Sequence, residues 1–320
     1  MTALHRLAYT TVALCACGGA RPAAAPGDTA PGGPPITTLA TAQGYPINIR
    51  GDAGGLFWTN HLGGQIVALA AGGAPKVLAD HQDYPLGLAI DQTDVYWTTL
   101  NGGTVVKVAR AGGQPVTIAS GQFGPSGIAI DDTNVYWTNT YGGTIVTVSK
   151  AGGKPTVLAS KQATPAEVAV AAGVVYWTNR GSAPDYADGS VMRLPKGGAP
   201  AAVATALADP QGIAVDGTAI YWLNHGSPPQ FHGAVMTAPL DGGAPTVLVP
   251  DQQGAQELAI DDTHLYWSNE VEGSVNRVAK RGGAPTTLAR NQQRPYGVCV
   301  DTTYVYWLAY RDGSAKRMAK

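Results

Sequence analysis

Tryptophan recurs along this chain at a nearly constant interval, and that interval constrains the fold more than any other feature. Seven tryptophans follow one another at spacings of 39, 40, 40, 45, 45 and 40 residues. They are Trp58, Trp97, Trp137, Trp177, Trp222, Trp267 and Trp307. A period of this length is typical of repeat architectures, in which each repeat is one supersecondary unit that packs against its neighbours.

Each tryptophan lies in a related phrase, of which VYWTN at residues 135–139 is an example. Aspartate precedes the tryptophan by six residues except at Ala171, and proline precedes it by twelve residues except at Ala255. An aspartate at a turn accepts backbone N–H bonds, so we interpret these aspartates as turn residues rather than metal ligands. We interpret the tryptophans as wedges between adjacent repeats rather than as a ligand-stacking ring.

One repeat predicts four strands joined by short turns rich in glycine, aspartate and asparagine. In the third copy the strands are expected at Gly127–Asp131, Val135–Asn139, Thr144–Lys150 and Thr156–Ser160. Four antiparallel strands in about 40 residues are typical of a β-propeller blade. A β-helix or other solenoid would need shorter rungs and capping ends, and the sequence has neither.

The two ends of the chain complete one another. The seventh repeat stops after its third strand, and the phrase that it lacks, Gly-Gly-x-Pro followed by Thr-Leu-Ala, lies at Gly32–Ala40. We therefore expect the N-terminal strand to pair with the last blade and close the ring, which removes an open sheet edge. The predicted fold class is all-β: a seven-bladed β-propeller of four-stranded antiparallel blades over residues 36–320.

The phrase Tyr-Trp-Thr-Asn resembles the YWTD repeat of low-density-lipoprotein-receptor propellers. The pattern Pro-x-Gly-Ile-Ala-x-Asp also resembles the NHL repeat and the streptogramin-lyase-like propellers. The resemblance spans residues 36–320 and implies a propeller fold. This chain has asparagine or threonine where the YWTD repeat has aspartate, and seven repeats where that family has six blades. No motif supports carrying over a lyase's catalytic histidine.

The first residues are typical of an export signal. A short apolar stretch, Leu7–Leu14, is too short to span a bilayer and leads into LCAC, which resembles a bacterial lipobox with Cys17 as the lipidated residue. An ordinary secretory signal cleaved nearby is the alternative. We predict a lipoprotein signal peptide at residues 1–16 and a Pro/Ala/Gly-rich tether at residues 17–35. By resemblance to Gram-negative lipoproteins, the absence of aspartate after Cys17 implies the outer membrane.

The composition of the chain restricts the classes of partner that we expect it to bind. Charged residues make up 13% of the chain and its formal net charge is −1, so no clustered basic surface indicates a nucleic-acid partner. Contact with a membrane is expected only through the lipid anchor. Cys299 is the one cysteine left in the predicted propeller, and it occupies a position where other repeats have alanine, so we expect a buried, inert thiol rather than a nucleophile.

All variation in repeat length falls on one side of the predicted ring, in the loops between strands two and three and in the blade-to-blade connections. The two longest loops are residues 179–190 and 224–234. Loops held by a rigid scaffold concentrate binding residues, and aromatic side chains are enriched at interfaces. The predicted ligand-binding residues on this side are Tyr45, His61, Tyr84, Phe123, Tyr141, Tyr186, Phe231, Tyr296 and Tyr310.

The start of the innermost strand carries a second pattern. The residue two positions after the proline reads Asn48, Gly87, Gly127, Glu167, Gly212, Glu257 and Gly297 along the seven repeats. Equivalent positions surround one axis, so Asn48, Glu167 and Glu257 are expected to converge at a channel mouth. Their oxygen atoms suit Ca²⁺ or Mg²⁺, as in the metal centre of gluconolactonase-type propellers, which this set resembles. Ordered water in the channel is the alternative.

The sequence thus favours a lipid-anchored extracytoplasmic binding module that presents its aromatic side to a glycan, a peptide or an envelope protein. The alternative is a metal-dependent lyase or lactone hydrolase at the channel mouth. There, His225 or His232 from the two long loops would act as the general base. A purely structural role remains a third possibility.

Overall fold

The computed structural model describes residues 28–29 and 33–320 and confirms the predicted seven-bladed propeller. Each blade is a four-stranded antiparallel sheet, and no helix among these residues is long and apolar enough to cross a bilayer. The predicted signal peptide and Cys17 lie outside the described residues. Within the predicted tether, Thr29 forms an antiparallel bridge with Ala289, and the Arg290 N–H donates to the Asp28 carbonyl oxygen at 2.7 Å.

Blades 1 to 6 each contain four consecutive strands. Blade 1 comprises β2 (Pro46–Asp52), β3 (Gly55–Asn60), β4 (Gln65–Leu69) and β5 (Lys76–Ala79). Blade 2 comprises β6 (Pro85–Ile90), β7 (Asp94–Thr99), β8 (Thr104–Ala109) and β9 (Val116–Ala119). Blade 3 comprises β10 (Pro125–Ile130), β11 (Asn134–Asn139), β12 (Thr144–Ser149) and β13 (Thr156–Ala159). Blade 4 comprises β14 (Pro165–Ala171), β15 (Val174–Asn179), β16 (Gly189–Pro195) and β17 (Ala201–Leu207). Blade 5 comprises β18 (Pro210–Val215), β19 (Ala219–Asn224), β20 (His232–Pro239) and β21 (Thr246–Gln253). Blade 6 comprises β22 (Ala255–Ile260), β23 (His264–Asn269), β24 (Ser274–Ala279) and β25 (Thr286–Ala289).

Blade 7 is assembled from both ends of the chain, as the sequence predicts. It comprises β26 (Pro295–Val300), β27 (Tyr304–Ala309), β28 (Ser314–Ala319) and, as its outermost strand, β1 (Thr37–Ala40). Strands β1 and β28 pair antiparallel, with Thr37 opposite Arg317. The closing strand is shorter than the predicted Gly32–Ala40. It pairs with β28, so the edge of β28 is not left unpaired.

The first strand of each blade starts earlier than predicted. In blade 3 it begins at Pro125 rather than Gly127, because Pro125 already pairs with Asn139 before a bulge restores the register at Ile128 opposite Trp137. The bulge lets the inner strands approach closely at the axis. A Cβ on Gly127 would lie 2.4 Å from the Ala166 carbonyl oxygen of blade 4, which explains the frequent glycine at this position.

The tryptophans are buried between blades, as predicted, and each has 0% exposure. Trp137 Nε1 donates to Gln122 Oε1 at 3.1 Å, and Gln122 lies in the connection that enters the blade. A glutamine fifteen residues before the tryptophan makes this bond in six blades, through Gln43, Gln82, Gln122, Gln162, Gln252 and Gln292. Blade 5 has Leu207 instead, and Trp222 donates to Asn224.

The rest of the phrase also has a structural reason. In blade 3 the Thr138 hydroxyl donates to the Ala166 carbonyl oxygen of blade 4 at 2.6 Å and accepts from the Gly127 N–H at 3.0 Å. Asn139 Nδ2 donates to the same glutamine that holds the tryptophan. The threonine therefore joins neighbouring blades near the axis, and the asparagine fixes the loop that enters the blade.

The turn aspartates accept backbone N–H bonds, as predicted. Asp131 accepts from the N–H groups of Thr133 and Asn134 at 2.8 and 2.7 Å, and from the Tyr136 hydroxyl at 2.7 Å. Several of these aspartates also form an ion pair with a lysine or arginine that directly follows the third strand of the next blade. These ion pairs are Arg110–Asp52, Lys150–Asp91, Lys280–Asp216 and Lys320–Asp261.

The exception at Ala171 lies at a junction that lacks this ion pair. The position that would supply its basic partner is Leu240 in blade 5. Both residues pack against the apolar cluster that contains Tyr176 and Trp222. The junction between blades 4 and 5 thus replaces both charges with apolar side chains. Nothing in the structure explains the missing proline at Ala255, which pairs with Asn269 as the prolines pair in other blades.

The predicted burial of Cys299 is also confirmed. Cys299 is buried in the inner strand of blade 7, and burial raises the pKa of its thiol to about 12. A thiol held protonated in this way is a poor nucleophile.

Candidate functional site: the variable face and its channel mouth

The variable face is the side of the ring formed by the loops between second and third strands and by the blade-to-blade connections. The last residue of each connection has a left-handed backbone, with φ between 51° and 72°. These residues are Tyr45, Tyr84, Gly124, Thr164, Asp209, Gly254 and Arg294. For a residue with a Cβ this conformation costs roughly 1 kcal/mol or more, yet five of the seven junctions carry one.

Most of the predicted aromatic residues form pairs across these junctions. Tyr310 packs against both Tyr45 and Tyr296 at ring-centroid distances of 5.1 Å, where the ring closes between blades 7 and 1. Phe123 packs against Tyr141 at 5.7 Å in blade 3. The exposed members are Tyr45, Tyr84, Phe123 and Tyr141, and Phe123 is the most exposed at 67%. We call the residues Tyr45, Tyr84, Phe123, Tyr141, Tyr296 and Tyr310 the aromatic rim.

The other predicted binding residues are less exposed to solvent. His61 is buried, with Nδ1 3.1 Å from the Pro85 carbonyl oxygen and its ring edge-on to Tyr84. Burial lowers the pKa of His61, which favours the neutral imidazole. Tyr186 and Phe231 belong to the two long loops and are partly buried, and Tyr186 contacts Arg180 while Phe231 contacts His225.

A cavity opens at the centre of this face. The residue that follows the proline position in every blade lines it, and these residues are Ile47, Leu86, Ser126, Ala166, Gln211, Gln256 and Tyr296. Asn48, Glu167 and Glu257 line the same cavity, so the structure brings these three predicted residues together at the channel mouth. The cavity volume is about 50 Å³, which suits a few water molecules or one small polar group.

Arg50 is a further residue of the mouth that the sequence argument missed. Its Nη1 donates to Glu257 Oε1 at 3.1 Å and to the Ile49 carbonyl oxygen at 2.9 Å. A signal was present, because the position four residues after the proline is alanine in five repeats, Cys299 in one and Arg50 in the first. Arg50 thus breaks the small-residue pattern of the innermost strand, as Glu167 and Glu257 do two residues earlier in their own repeats.

Two buried carboxyl groups and one guanidinium group influence one another at the mouth. Burial and the nearby Glu257 carboxylate raise the pKa of Glu167 to about 8, although Arg50 opposes the shift. Burial also raises the pKa of Glu257, against the Arg50 ion pair. Burial disfavours the charge on Arg50, but both carboxylates raise its pKa overall. The Arg50 guanidinium is therefore the cationic neighbour of both Glu167 and Glu257.

A charged arc surrounds one side of the mouth, on blades 4 to 7. The Arg180 guanidinium makes a two-pronged ion pair with Asp209 at 2.7 and 3.0 Å. His225 Nδ1 lies 3.6 Å from Asp209 Oδ2, and His225 Nε2 lies 3.4 Å from Glu270 Oε1. Arg294 Nη2 donates to the other oxygen of Glu270 at 2.8 Å.

The arc is largely buried, and its members fix one another. Burial works against the charge of Glu270, but the His225 and Tyr296 hydrogen bonds and the Arg294 charge lower its pKa to about 2. Asp209 also accepts from Gln211 Nε2 at 2.8 Å, which connects the arc to the lining of the cavity. The arc therefore presents ordered charges beside the channel mouth.

The two predicted catalytic histidines lie differently. Both ring nitrogens of His225 face carboxylates, and its side chain is 8% exposed. His232 begins β20 and is exposed. No contact of either histidine tests the general-base role, which stays a prediction.

The predicted metal site also stays a prediction. Within residues 28–29 and 33–320, no three histidine, cysteine, aspartate or glutamate side chains converge as metal ligands. The predicted set is two carboxylates and one amide, and Arg50 lies beside them.

Comparison with solved structures supports the fold. Virginiamycin B lyase from Staphylococcus aureus superposes with a TM-score of 0.74 at 14% identity, covering 89% of this chain and 98% of that chain. The hydrazine synthase of Kuenenia stuttgartiensis gives a TM-score of 0.73 at 14% identity, with coverage of 89% and 98%. A chain of the nidogen/laminin complex gives 0.60 at 21% identity, with coverage of 74% and 94%.

No family model matches the chain, and no curated protein matches it in sequence. Identities this low establish the propeller fold alone. The structural neighbours are consistent with propeller blades built from YWTD-like repeats. Membership of the family that the Tyr-Trp-Thr-Asn phrase suggests stays a prediction.

Proposed function

We propose that this protein is an extracytoplasmic binding module that holds its ligand on the aromatic rim, around the channel mouth. The observation that carries the proposal is the left-handed backbone before each inner strand. At five junctions a side chain is kept where glycine would relieve the strain, and these side chains include Tyr45, Tyr84 and Arg294. Strained backbone of this kind clusters at binding and catalytic sites. A second left-handed position in the same connections carries Ala42 and Ala206, so the proposal depends on the side chains themselves.

The ligand classes that fit are a glycan, a peptide or a loop of an envelope protein. Stacked, partly exposed tyrosines such as Tyr45 and Tyr310 offer flat apolar surface with a polar tip, which suits sugar rings and peptide side chains alike. The ordered charges of Arg294 and Glu270 beside them can orient a polar ligand.

We also propose that the protein is exported and anchored through a lipid on Cys17, so that the tether holds the propeller in the cell envelope, at the outer membrane if the host is Gram-negative. The support is the apolar stretch Leu7–Leu14 followed by LCAC. Labelling cells with an alkyne fatty acid tests this directly. The wild-type protein should be labelled, and Cys17→Ser should abolish the label.

The binding role is tested by an array of bacterial envelope glycans and synthetic peptides probed with the purified full chain in detergent. The double variant Tyr45→Ala/Tyr310→Ala should lose the binding that the wild type shows. The matched control is Tyr304→Ala, which removes a tyrosine outside the variable face. Equal binding by the wild type and the double variant would contradict the proposal, provided that both unfold at similar temperatures.

A lyase or lactone hydrolase is the second candidate. The arc favours it, because His225 lies between the carboxylates of Asp209 and Glu270, and clusters of titratable side chains concentrate at catalytic sites. It ranks second because a general base needs a free ring nitrogen within reach of the substrate. Turnover of a lactone panel that falls at least a hundredfold in His225→Asn, but not in His264→Asn, would favour the enzyme.

A further inference from the structure

The channel mouth contains a buried acceptor that has no donor. Asn48 is 5% exposed and lines the cavity, and its Oδ1 has no hydrogen-bond partner among the described residues. Buried polar atoms are usually paired. Four other described asparagines also have an unpaired Oδ1, but of the five only Asn48 lines the cavity. Four of the seven repeats have glycine at this position, so they place no polar side chain at the mouth.

The positive charges at the mouth already have carboxylate partners, because Arg180 lines the cavity and pairs with Asp209. Glu167 and Glu257 both line the cavity, and Arg50 supplies the cationic partner of Glu257. The Glu167 carboxyl group receives no hydrogen bond from any residue that the structure describes. Two independent features, an orphaned amide oxygen and a carboxyl group that receives no hydrogen bond, therefore leave oxygen acceptors at the mouth that a cationic hydrogen-bond donor would satisfy.

The geometry discriminates between kinds of cation. Calcium needs six to eight oxygen ligands, magnesium needs near-octahedral geometry, and a divalent ion would lie beside the Arg50 guanidinium. A primary ammonium group carries one charge and three donors and has no acceptor, which matches the three acceptor groups of Asn48, Glu167 and Glu257.

We propose that the channel mouth binds the primary ammonium group of a ligand, held by Asn48, Glu167 and Glu257, while the body of that ligand lies on the aromatic rim. This inference rests on the proposed binding function and narrows its ligand to one that carries an amine. The amine comes from a lysine side chain of a peptide or from an amino sugar, and the two sources share this chemistry.

The test is a ligand-observed NMR titration of the purified full chain in detergent with four small probes. Acetyl-lysine methylamide is compared with acetyl-norleucine methylamide, which lacks the amine, and methyl glucosaminide is compared with its N-acetylated form. We expect at least one amine to bind and its uncharged partner to bind at least tenfold more weakly. The amine that binds identifies the source.

Variants place the binding at the mouth. Glu167→Gln should weaken amine binding at least tenfold, and Glu167→Gly, which installs the residue of other repeats, should do the same in a chain that folds. Asp83→Asn is the matched control, because it removes an exposed carboxylate from the same face outside the mouth. Its affinity should be unchanged.

The inference is overturned if neither amine binds, if the uncharged probes bind equally well, or if Asp83→Asn weakens binding as much as Glu167→Gln does. It is also overturned if CaCl₂ or MgCl₂ displaces the amine from the wild type and not from Glu167→Gln, because the mouth is then a metal site. If the amines fail while rim-dependent binding persists on the envelope array, this inference falls and the proposed function stands.

Discussion

The guanidinium group of Arg50 in blade 1 lies 3.1 Å from the carboxylate of Glu257 in blade 6, so one ion pair reaches across the channel past blade 7. Both side chains belong to innermost strands, where most repeats carry glycine or alanine. The pair thus introduces charge into the most crowded part of the ring. Its cost is offset only while both partners are present.

Removing Arg50 should therefore destabilise the fold. We expect Arg50→Gln to lower the free energy of unfolding by about 2–3 kcal/mol at pH 8.5, the lower end for a buried ion pair, because the Arg50 side chain is 29% exposed. At pH 5 the loss should be smaller, since Glu167 and Glu257 can take up protons. Urea unfolding measures both values, and the exposed Arg281→Gln is the control. An equal loss at both pH values would contradict this account.

Glu167 should make stability depend on pH. Its pKa of about 8 in the folded protein lies above the ordinary value of 4.5, so the folded state holds a proton that the unfolded state releases between these pH values. Stability therefore falls as pH rises through this window. Glu167→Gln should match the wild type at pH 5 and exceed it by about 1 kcal/mol or more at pH 9 in urea unfolding. A variant less stable than the wild type at pH 9 would refute the assignment.

Amine binding should depend on pH for the same reason. An ammonium group binds the ionised form of Glu167, so binding must release the proton that this carboxyl group holds at neutral pH. We expect the affinity for acetyl-lysine methylamide to rise about tenfold from pH 7 to pH 9, while the lysine amine stays mostly protonated. Calorimetry in two buffers of different ionisation enthalpy should show about one proton released at pH 7. A pH-independent affinity would contradict this mechanism.

The glutamine that holds each tryptophan should contribute to stability. Gln122→Leu installs the residue of blade 5 and leaves Trp137 Nε1 and Asn139 Nδ2 without this acceptor. We expect a loss of about 1–3 kcal/mol in urea unfolding, the cost of leaving buried donors unpaired. The control is the exposed Gln230→Leu, which should change stability by less than about 0.5 kcal/mol. A comparable loss in both variants would show that the bond has no special role.

The exception at Ala171 gives a prediction about pairs. Ala171→Asp and Leu240→Lys should each destabilise the protein, because each places a charge in an apolar junction. The double variant should recover about 0.5 kcal/mol or more relative to the sum of the single changes, since it recreates the ion pair of other junctions. A double-mutant cycle on unfolding free energies measures this coupling. Additive losses would indicate that the two sites do not form that pair.

The fold could be predicted because the sequence contains seven copies of the same repeat pattern. The spacing of the tryptophans gives the blades, and the displaced phrase at Gly32–Ala40 gives the closure of the ring. The convergence of Asn48, Glu167 and Glu257 follows from the same regularity, because equivalent positions of a closed ring surround one axis. Arg50 could have been found in this way too, as a break in a column of alanines.

The charged arc could not be read from the repeat. Asp209, His225 and Glu270 come from three separate loops, and the loop that carries His225 departs from the 40-residue period. The burial of His61 was equally hidden, because its partners are a backbone carbonyl and the edge of Tyr84 rather than residues of a motif. The period predicts the residues that the blades share. The charged arc consists of residues at which the blades differ, so the period does not predict it.

Hydrogen–deuterium exchange of the full chain, with and without the tightest ligand from the envelope array, tests the central claim that the variable face is the binding face. The account predicts slower exchange in the blade-to-blade connections, at residues 41–48, 81–87 and 291–297. Exchange should be unchanged in the turns on the opposite side of the ring, at residues 91–94, 131–134 and 261–264. Protection confined to those opposite turns, or to the outer strands, would contradict it.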